Sequence, residues 1–576
     1  MLDVRIARLP TARLGQALRH LLSWRTVIVA GCVLVVGFLA VVPLYHLVRD
    51  TFTGEQGFTV GAFARAYGGD SQSAAMLRNS LVFAVGAGLL ALVLGTALAY
   101  IQVRTDTPFK GLFFAASLVP LIIPAILYAA AWIFLADPEI GLVNSALESI
   151  IGVRPLNVFS VWGMIWVQGL HLAPIAFLLM VAAFRAMDPS LEESALMSGA
   201  SWARTLRRIT VPLLRPALVS AVLLMFVQSL ESFEVPGLLG LQNGIYVFTS
   251  RIYFVLRSFP IDYGMAGAYA LGLLAIAAAG VLLSGRLSGD ARGFQTISGK
   301  AFRPRPIELG RARPFVGAAV LAYFAITVVL PIGVLVYTSL LGFYTAPSMA
   351  ALRSMSLDNY REALNLPIAV TALKNSVLLG VGSATAVMFL AAVVSWVIVR
   401  TRAPGRRLLD ILAFSPIVIP GLVLGLALAF VYLRSPLPIY GTLWILLISY
   451  STRYLPYGMR YASAAMTQLS AELEESAQVC GASWWQTFRR VLLPLTSGGI
   501  VAGWIYILVV SFRELSSSIL LYSPGKEVLS VLIWEQFENG RFTLLAAIGV
   551  LMVTILVGLV LVAYRIGAGV GLKTDD

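Results

Sequence analysis

Apolar residues run in long, uninterrupted stretches along most of this chain, parted by short polar turns. Twelve stretches approach or exceed the roughly 20 residues that a helix needs to cross a bilayer. They fall at about 26–48, 79–102, 111–136, 157–184, 216–233, 265–285, 315–340, 375–399, 408–433, 440–464, 496–512 and 543–565, the fifth and eleventh being short. The runs are continuous rather than ten-residue alternations, so helices are expected instead of barrel strands. The pattern predicts an all-α polytopic membrane protein with about twelve transmembrane helices. The first stretch follows a 25-residue basic leader and lacks a small-residue cleavage site, so it reads as an uncleaved anchor.

Two polar turns carry the same block, 282 residues apart. Glu192-Glu-Ser-Ala-Leu-Met-Ser-Gly199-Ala-Ser-Trp202, with Arg207-Arg208-Ile-Thr-Val-Pro212, recurs as Glu474-Glu-Ser-Ala-Gln-Val-Cys-Gly481-Ala-Ser-Trp484, with Arg489-Arg490-Val-Leu-Leu-Pro494. Earlier matches are 296 apart: Leu77-Arg-Asn79-Ser80 with Leu373-Lys-Asn375-Ser376, Arg104-Thr105 with Arg400-Thr401, and Pro120 and Pro124 with Pro416 and Pro420. The second half is therefore 14 residues shorter between its third span and its block. The division expected is a first half at 1–285, a hydrophilic linker at 286–314 and a second half at 315–576. Six spans per half, both starting on one side, make two parallel six-helix repeats.

Composition agrees with a membrane protein: 59% hydrophobic and 12% charged, with a mean hydropathy of +0.86. The net charge of +14 is distributed by topology. Arg5, Arg8, Arg13, Arg19 and Arg25 precede the first span, and 286–313 holds seven basic residues against Asp290 and Glu308. With twelve spans these segments and both repeated blocks share one side, which the positive-inside rule makes cytoplasmic, together with both termini. A nucleic-acid partner is thereby excluded. Two cysteines, Cys32 and Cys480, and three dispersed histidines offer neither a disulfide framework nor a metal site. No bound cofactor is expected.

Within the block, Ser190 and Glu193 have capping-box spacing, whereas the second copy offers only Ser470. Gly199 and Gly481 suit a left-handed helix end. Ser201 and Ser483 can cap a second arm, which Pro212 and Pro494 would close. The product is a short helix–turn–helix at the cytoplasmic surface, its arginines placed to meet lipid phosphates.

Here the chain resembles the permease subunits of binding-protein-dependent ABC importers. Their signature loop has Glu-(Ala/Ser)-Ala, three residues, Gly, nine residues, (Ile/Val), one residue and (Leu/Val)-Pro. It stands as Glu193-Ser194-Ala195…Gly199…Ile209-Thr-Val211-Pro212 and Glu475-Ser476-Ala477…Gly481…Val491-Leu-Leu493-Pro494. Ser194 and Ser476 replace a frequent alanine, a small-for-small change. The resemblance implies a type I importer fold in a bacterial inner membrane. It also implies that Glu192, Glu193, Gly199, Ala200, Ser201, Glu474, Glu475, Gly481, Ala482 and Ser483 form two coupling helices, each seated on one of two copies of an ATPase subunit. An external (periplasmic) solute-binding protein and membrane lipid complete the expected partners. The chain has no phosphate-binding loop of its own: Gly299-Lys300 and Gly525-Lys526 lack the following Ser or Thr. It is expected to be a non-catalytic subunit.

Ionisable groups inside spans cost about 2.5–3.5 kcal/mol each, so each is a pathway candidate. These are His171, Glu231, Glu234, Arg453, Arg513 and Glu514. The 282 offset aligns His171 with Arg453 and Glu231 with Arg513, and Glu231 is expected to face Arg513 between the halves. Helices near 246–256 and 528–537 are expected on the outer side, as docking surfaces or lying on the membrane. Ser511-Phe-Arg-Glu-Leu-Ser-Ser-Ser518 and Tyr522-Ser-Pro-Gly525 resemble the ferric-iron permeases, a group that shades into those for polyamines, thiamine and aminoethylphosphonate. Arg453 and Arg513 would suit an anion or anionic chelate better than a bare cation. A gradient-driven secondary transporter, the rival class, would have no use for the repeated block.

Overall fold

A computed structural model describes residues 24–54, 57–68, 71–287, 306–401 and 403–569. The basic leader up to residue 23 and linker residues 288–305 lie outside the described residues. The architecture is helical. A two-stranded ribbon, Thr53–Gly54 against Gly57–Phe58, is the one strand pair among the described residues.

Among the described residues eight helices are long and apolar enough to span a membrane, and the number reaches 11 if each of three bent pairs counts as one span. The tenth predicted span, at 440–464, is missing from that count but is a continuous 25-residue helix, Leu443–Thr467. Arg453, Arg460 and four tyrosines leave it too polar to qualify by composition.

The bent pairs correct the expectation of straight spans. Lys110–Leu121 meets Ala125–Ala136 at 97°, and Arg406–Val418 meets Gly421–Leu433 at 110°. The cause is the repeated Pro120/Pro124 and Pro416/Pro420: each proline removes a backbone donor, and Ile419, before Pro420, is extended at φ −88° and ψ 111°. Pro124 and Pro420 sit just outside the second arms with ψ of 140° and 143°. Both breaks are entered from a left-handed residue at the same repeat position, Phe109 (φ 57°) and Gly405 (φ 87°). Non-helical backbone at membrane depth is tolerated only inside protein. Accordingly the second arms are buried from Ile126 to Ala136 and from Gly421 to Phe430.

The halves exchange elements. The first helix, Trp24–Thr51, packs on Arg406–Phe414 and Gly421–Leu433 of the second half. Reciprocally, the last third of Gly310–Ser339, Leu330–Ser339, packs on Ala125–Ala136 of the first. Ser71–Arg104 and Pro367–Arg400, 34 residues each, pack on Val161–Ala186 and Leu443–Thr467 respectively. At 1.5 Å per residue each is about 50 Å long, well beyond the roughly 30 Å hydrocarbon layer. The excess lets their last turns hold the repeated block.

Candidate functional site

Each repeated block folds as a hairpin of two helical arms. Ser190–Met197 is followed by Trp202, and Glu472–Val479 by Trp484. Gly199 and Gly481 have φ of 81° and 79°. Ala200 N–H donates to the Ala195 carbonyl and Gly199 N–H to that of Leu196, each at 3.0 Å; Ala482 to Ala477 and Gly481 to Gln478 repeat both bonds at 3.0 Å. This paired closure needs the left-handed residue that glycine supplies.

One helix end grips each hairpin. Arg104 Nε lies 3.1 Å from Glu192 Oε2, with the two side chains 3% and 6% exposed. Arg400 Nε lies 3.3 Å from Glu474 Oε1, at 9% and 15%. Arg104 also donates to the Met187 carbonyl, and Arg400 to that of Leu469, the same repeat position. Thr210 adds a hydroxyl donated to Glu192. One turn before each arginine an aromatic ring holds the other arm. Tyr100 accepts from Trp202 Nε1 at 2.8 Å, and Trp396 packs on Trp484 with centroids 4.3 Å apart. Burial raises the Glu474 carboxyl above its ordinary range, against the pull of Arg400.

Thus Glu192 and Glu474 turn inward as anchors. The surface left for a partner carries exposed Glu475, Gly199 and Gly481. It also carries apolar side chains at matched positions: Leu191 with Leu473, and Met197 (89% exposed) with Val479 (88%). Ala200 and Ala482 are half-buried in the turns, and Glu193 is half-buried beside them.

Three local expectations are corrected. Ser190 does not form a capping box with Glu193; Pro189 precedes the helix, and Asp188 Oδ1 accepts from Ser190 N–H at 2.9 Å. That bond is the chief reason the Asp188 carboxyl sits below its ordinary range. Ser470 takes the same place in the second copy, accepting from Glu472 N–H at 3.3 Å. Of the two expected second-arm caps only Ser483 acts through its side chain, in a capping box with Gln486. Pro212 does not close its arm either. Wide turns at Leu206–Thr210 and Phe488–Leu492 lie just before Pro212 and Pro494, absorbing the donor each proline lacks. Trp202–Glu231 therefore runs on as one 30-residue helix, whereas its counterpart bends by 71° between Trp484–Leu495 and Ser497–Phe512.

The repeated Asn-Ser pairs act on the other side of the molecule. Ser80 accepts from Phe248 N–H at 3.0 Å and Ser376 from Leu529 N–H at 2.9 Å. Asn375 donates to the Glu527 carbonyl at 2.8 Å, and Asn79 to that of Tyr246 at 3.5 Å. Each pair thus caps the start of an outer helix, Phe248–Arg257 or Leu529–Glu538. These helices are largely buried, not free docking faces or helices lying on the membrane as expected. Tyr253 and Trp534, one from each, meet with centroids 5.4 Å apart, and Trp534 Nε1 donates to the Tyr253 hydroxyl at 3.1 Å.

Between these two levels the structure gathers the ionisable residues. Arg453 Nε lies 3.2 Å from Glu514 Oε2, which also accepts from the Tyr454 hydroxyl at 2.6 Å. Glu514 Oε1 accepts from Ser517 N–H at 3.0 Å and from its hydroxyl at 3.1 Å. Arg513 donates to the Leu121 carbonyl, one of those freed at the first half's broken span. Glu234 accepts from Ser516 of the second half at 3.2 Å. The expected Glu231–Arg513 pair does not form: Arg513 is held by the carbonyl, and Glu231 lies in the electrostatic range of Arg453, Glu514 and Glu234. Buried His171 stands against the Tyr128 ring at 5.3 Å between centroids. Gly421 matters here, because a Cβ on it would lie 1.7 Å from Arg453 Nη1. Among the described residues no cluster of three or more His, Cys, Asp or Glu could hold a metal ion.

A polytopic helical protein with two equivalent anchored hairpins on one side and a polar cluster between its halves has the make-up of a permease. The chain belongs to the family described as binding-protein-dependent transport system inner membrane component, which matches residues 89–288 and 388–570, once in each half. It is 25% identical over 536 residues to the ferric transport system permease protein FbpB of Actinobacillus pleuropneumoniae, covering 92% of this chain and 76% of that one. To the Fe(3+)-transport system permease protein FbpB 2 of Haemophilus influenzae it is 26% identical over 476 residues, covering 81% and 85%. Among solved structures, a bacterial ABC transporter involved in import of the acidic polysaccharide alginate matches 48% of this chain and 98% of its own at 19% identity and a TM-score of 0.41. Membership makes the chain a multi-pass, non-catalytic subunit of an ABC importer, a class that works with an ATPase and a periplasmic binding protein.

Proposed function

We propose that this permease carries ferric iron or a ferric chelate, delivered by its external binding protein, and that two ATPase subunits drive it through the two hairpins. The observation that carries the coupling is the duplicated grip: the same arginine–glutamate pair, aromatic clasp and exposed apolar side chains recur 282 to 296 residues apart. Two equivalent hairpins fit two copies of one ATPase. A division at 1–285 and 315–576 around linker 286–314, with twelve spans as two parallel repeats and both termini cytoplasmic, accommodates this arrangement. Leu443–Thr467 then serves as the tenth span, with Arg453 paired to Glu514 and Arg460 lining a cavity.

The iron reading rests on the ferric permeases among the relatives and on the hard, oxygen-loving character of Fe(III). A second reading is favoured by Arg453 and Arg513. An anionic solute such as an aminoethylphosphonate would meet these cations, and a permease named for 2-aminoethylphosphonate transport in Salmonella typhimurium is 29% identical over 168 residues. Metal analysis and mass spectrometry of the ligand released from the cognate binding protein decide between them. About one iron per protein is the expected result. A metal-free protein loaded with a small organic ion would reject iron.

A further inference from the structure

A cavity of about 890 Å³ opens beside the second hairpin, between Leu443–Thr467 and the bend at Leu495–Ser497, and every residue lining it belongs to the second half. Its polar wall is Tyr457, Arg460, Tyr461, Gln468 and Tyr506. The 282 offset puts Ile175, Leu178, Leu179, Ala186 and Leu224 at the matching positions of the first half. The repeat is thus strict where the hairpins are held and altered here: these five polar side chains have hydrocarbon counterparts, while Ser497 of the lining matches Arg215.

No carboxylate lines the cavity. Arg460 is exposed and makes no ion pair among the described residues. The first turn of Ser497–Phe512 forms the floor, an orientation in which the helix dipole favours negative charge. Tyr506 stands 5.7 Å between centroids from both Tyr457 and Tyr461. At the inner end Tyr506 lies in the electrostatic range of Arg453 and Arg513, and Tyr457 in that of Arg453, Arg460 and Glu231. Behind that wall Glu231, Glu234 and Glu514 lie with Arg453, which Glu514 holds, so the charged side chain on the lining itself is Arg460.

We propose that this cavity is an anion-selective chamber, built by the second half alone, that receives a small oxygen-rich anion or an anionic metal chelate on its way to the cytoplasm. Arg460 supplies the charge, and the tyrosine hydroxyls and Gln468 supply donors to oxygen. The route rests on the importer reading; the charge preference does not, and it can be measured without ATPase or binding protein.

The test is thiol labelling at Tyr461→Cys in the full chain with Cys480→Ser, because Cys480 is exposed and Cys32 buried. The protein is placed in phosphatidylcholine vesicles and treated with sulfonatoethyl or trimethylammonioethyl methanethiosulfonate, each rate divided by that of a small free thiol. The anionic reagent should react faster by on the order of tenfold, citrate should protect the site, and Arg460→Gln should remove the preference. Leu179→Cys in the first half should show none. Equal rates at Tyr461→Cys with Arg460 intact would overturn the proposal, whatever the folding of the Arg460→Gln variant. In vesicles containing phosphatidylglycerol, slowed labelling with no protection by citrate would also overturn it, by assigning the cavity to a lipid headgroup. A permease with the preference but no ATP-driven uptake would keep the chamber and reject the importer reading.

Discussion

Replacing Arg104 with methionine should abolish uptake and weaken the folded permease by about 3–5 kcal/mol, the usual cost of leaving one partner of a buried ion pair alone. Glu192 would remain at the base of the first hairpin with only Thr210 as donor, and the turn before it would lose the bond to the Met187 carbonyl. Arg400→Met should act in the same direction and more weakly, because Glu474 is 15% exposed against 6% for Glu192. Adding Glu192→Gln to Arg104→Met should restore much of the stability, since no buried charge is then left unpaired. It should not restore uptake, because the hairpin is still unanchored from Ser71–Arg104. Thermal inactivation of the purified permease and ATP-driven uptake, measured on the same variants, separate the two effects.

The second large effect is expected at Gly421, where alanine should reproduce the loss caused by Arg453→Met. The added methyl group falls on Arg453 Nη1, so the guanidinium has to shift, and it is expected to part from Glu514. Glu514 keeps its bonds from Tyr454 and Ser517 and loses its countercharge. A fall of about 3 kcal/mol in stability follows, with uptake reduced at least tenfold. Because both substitutions remove the same contact, the double variant should be no worse than either single one. Additive losses would show that Gly421 matters for the broken span itself and not for Arg453. Glu231→Gln should be milder, since Glu231 has no ion partner within 4 Å among the described residues.

The hairpins were the most legible part of the sequence because their chemistry is local. A glycine before a capping serine, and glutamates about two turns upstream, fold the same way wherever they stand, and Gly199, Gly481 and Ser483 do as their spacing implies. What holds the hairpins was visible only as a coincidence of offsets. Arg104-Thr105 and Arg400-Thr401 recur without any local pattern that says what the arginine meets, since Glu192 lies 88 residues away in the chain. The Asn-Ser pairs were the same kind of signal, their partners 152 to 168 residues downstream. The broken spans were misread because hydropathy averages over a proline pair, although Pro120/Pro124 and Pro416/Pro420 stood in the sequence. Glu231 and Arg513 were paired on alignment alone. The repeat equates positions related by symmetry, and only those at the interface between the halves, such as Tyr253 and Trp534, come into contact.

ATP-driven uptake in proteoliposomes holding the permease, its ATPase and its loaded binding protein tests the coupling most directly. Uptake should require all three components and ATP. It should fall by at least tenfold when the two exposed knobs are charged, Met197→Asp with Val479→Asp, while the anchored hairpins stay folded. Uptake that persists in that variant, or that runs on an ion gradient without the ATPase, would contradict the account.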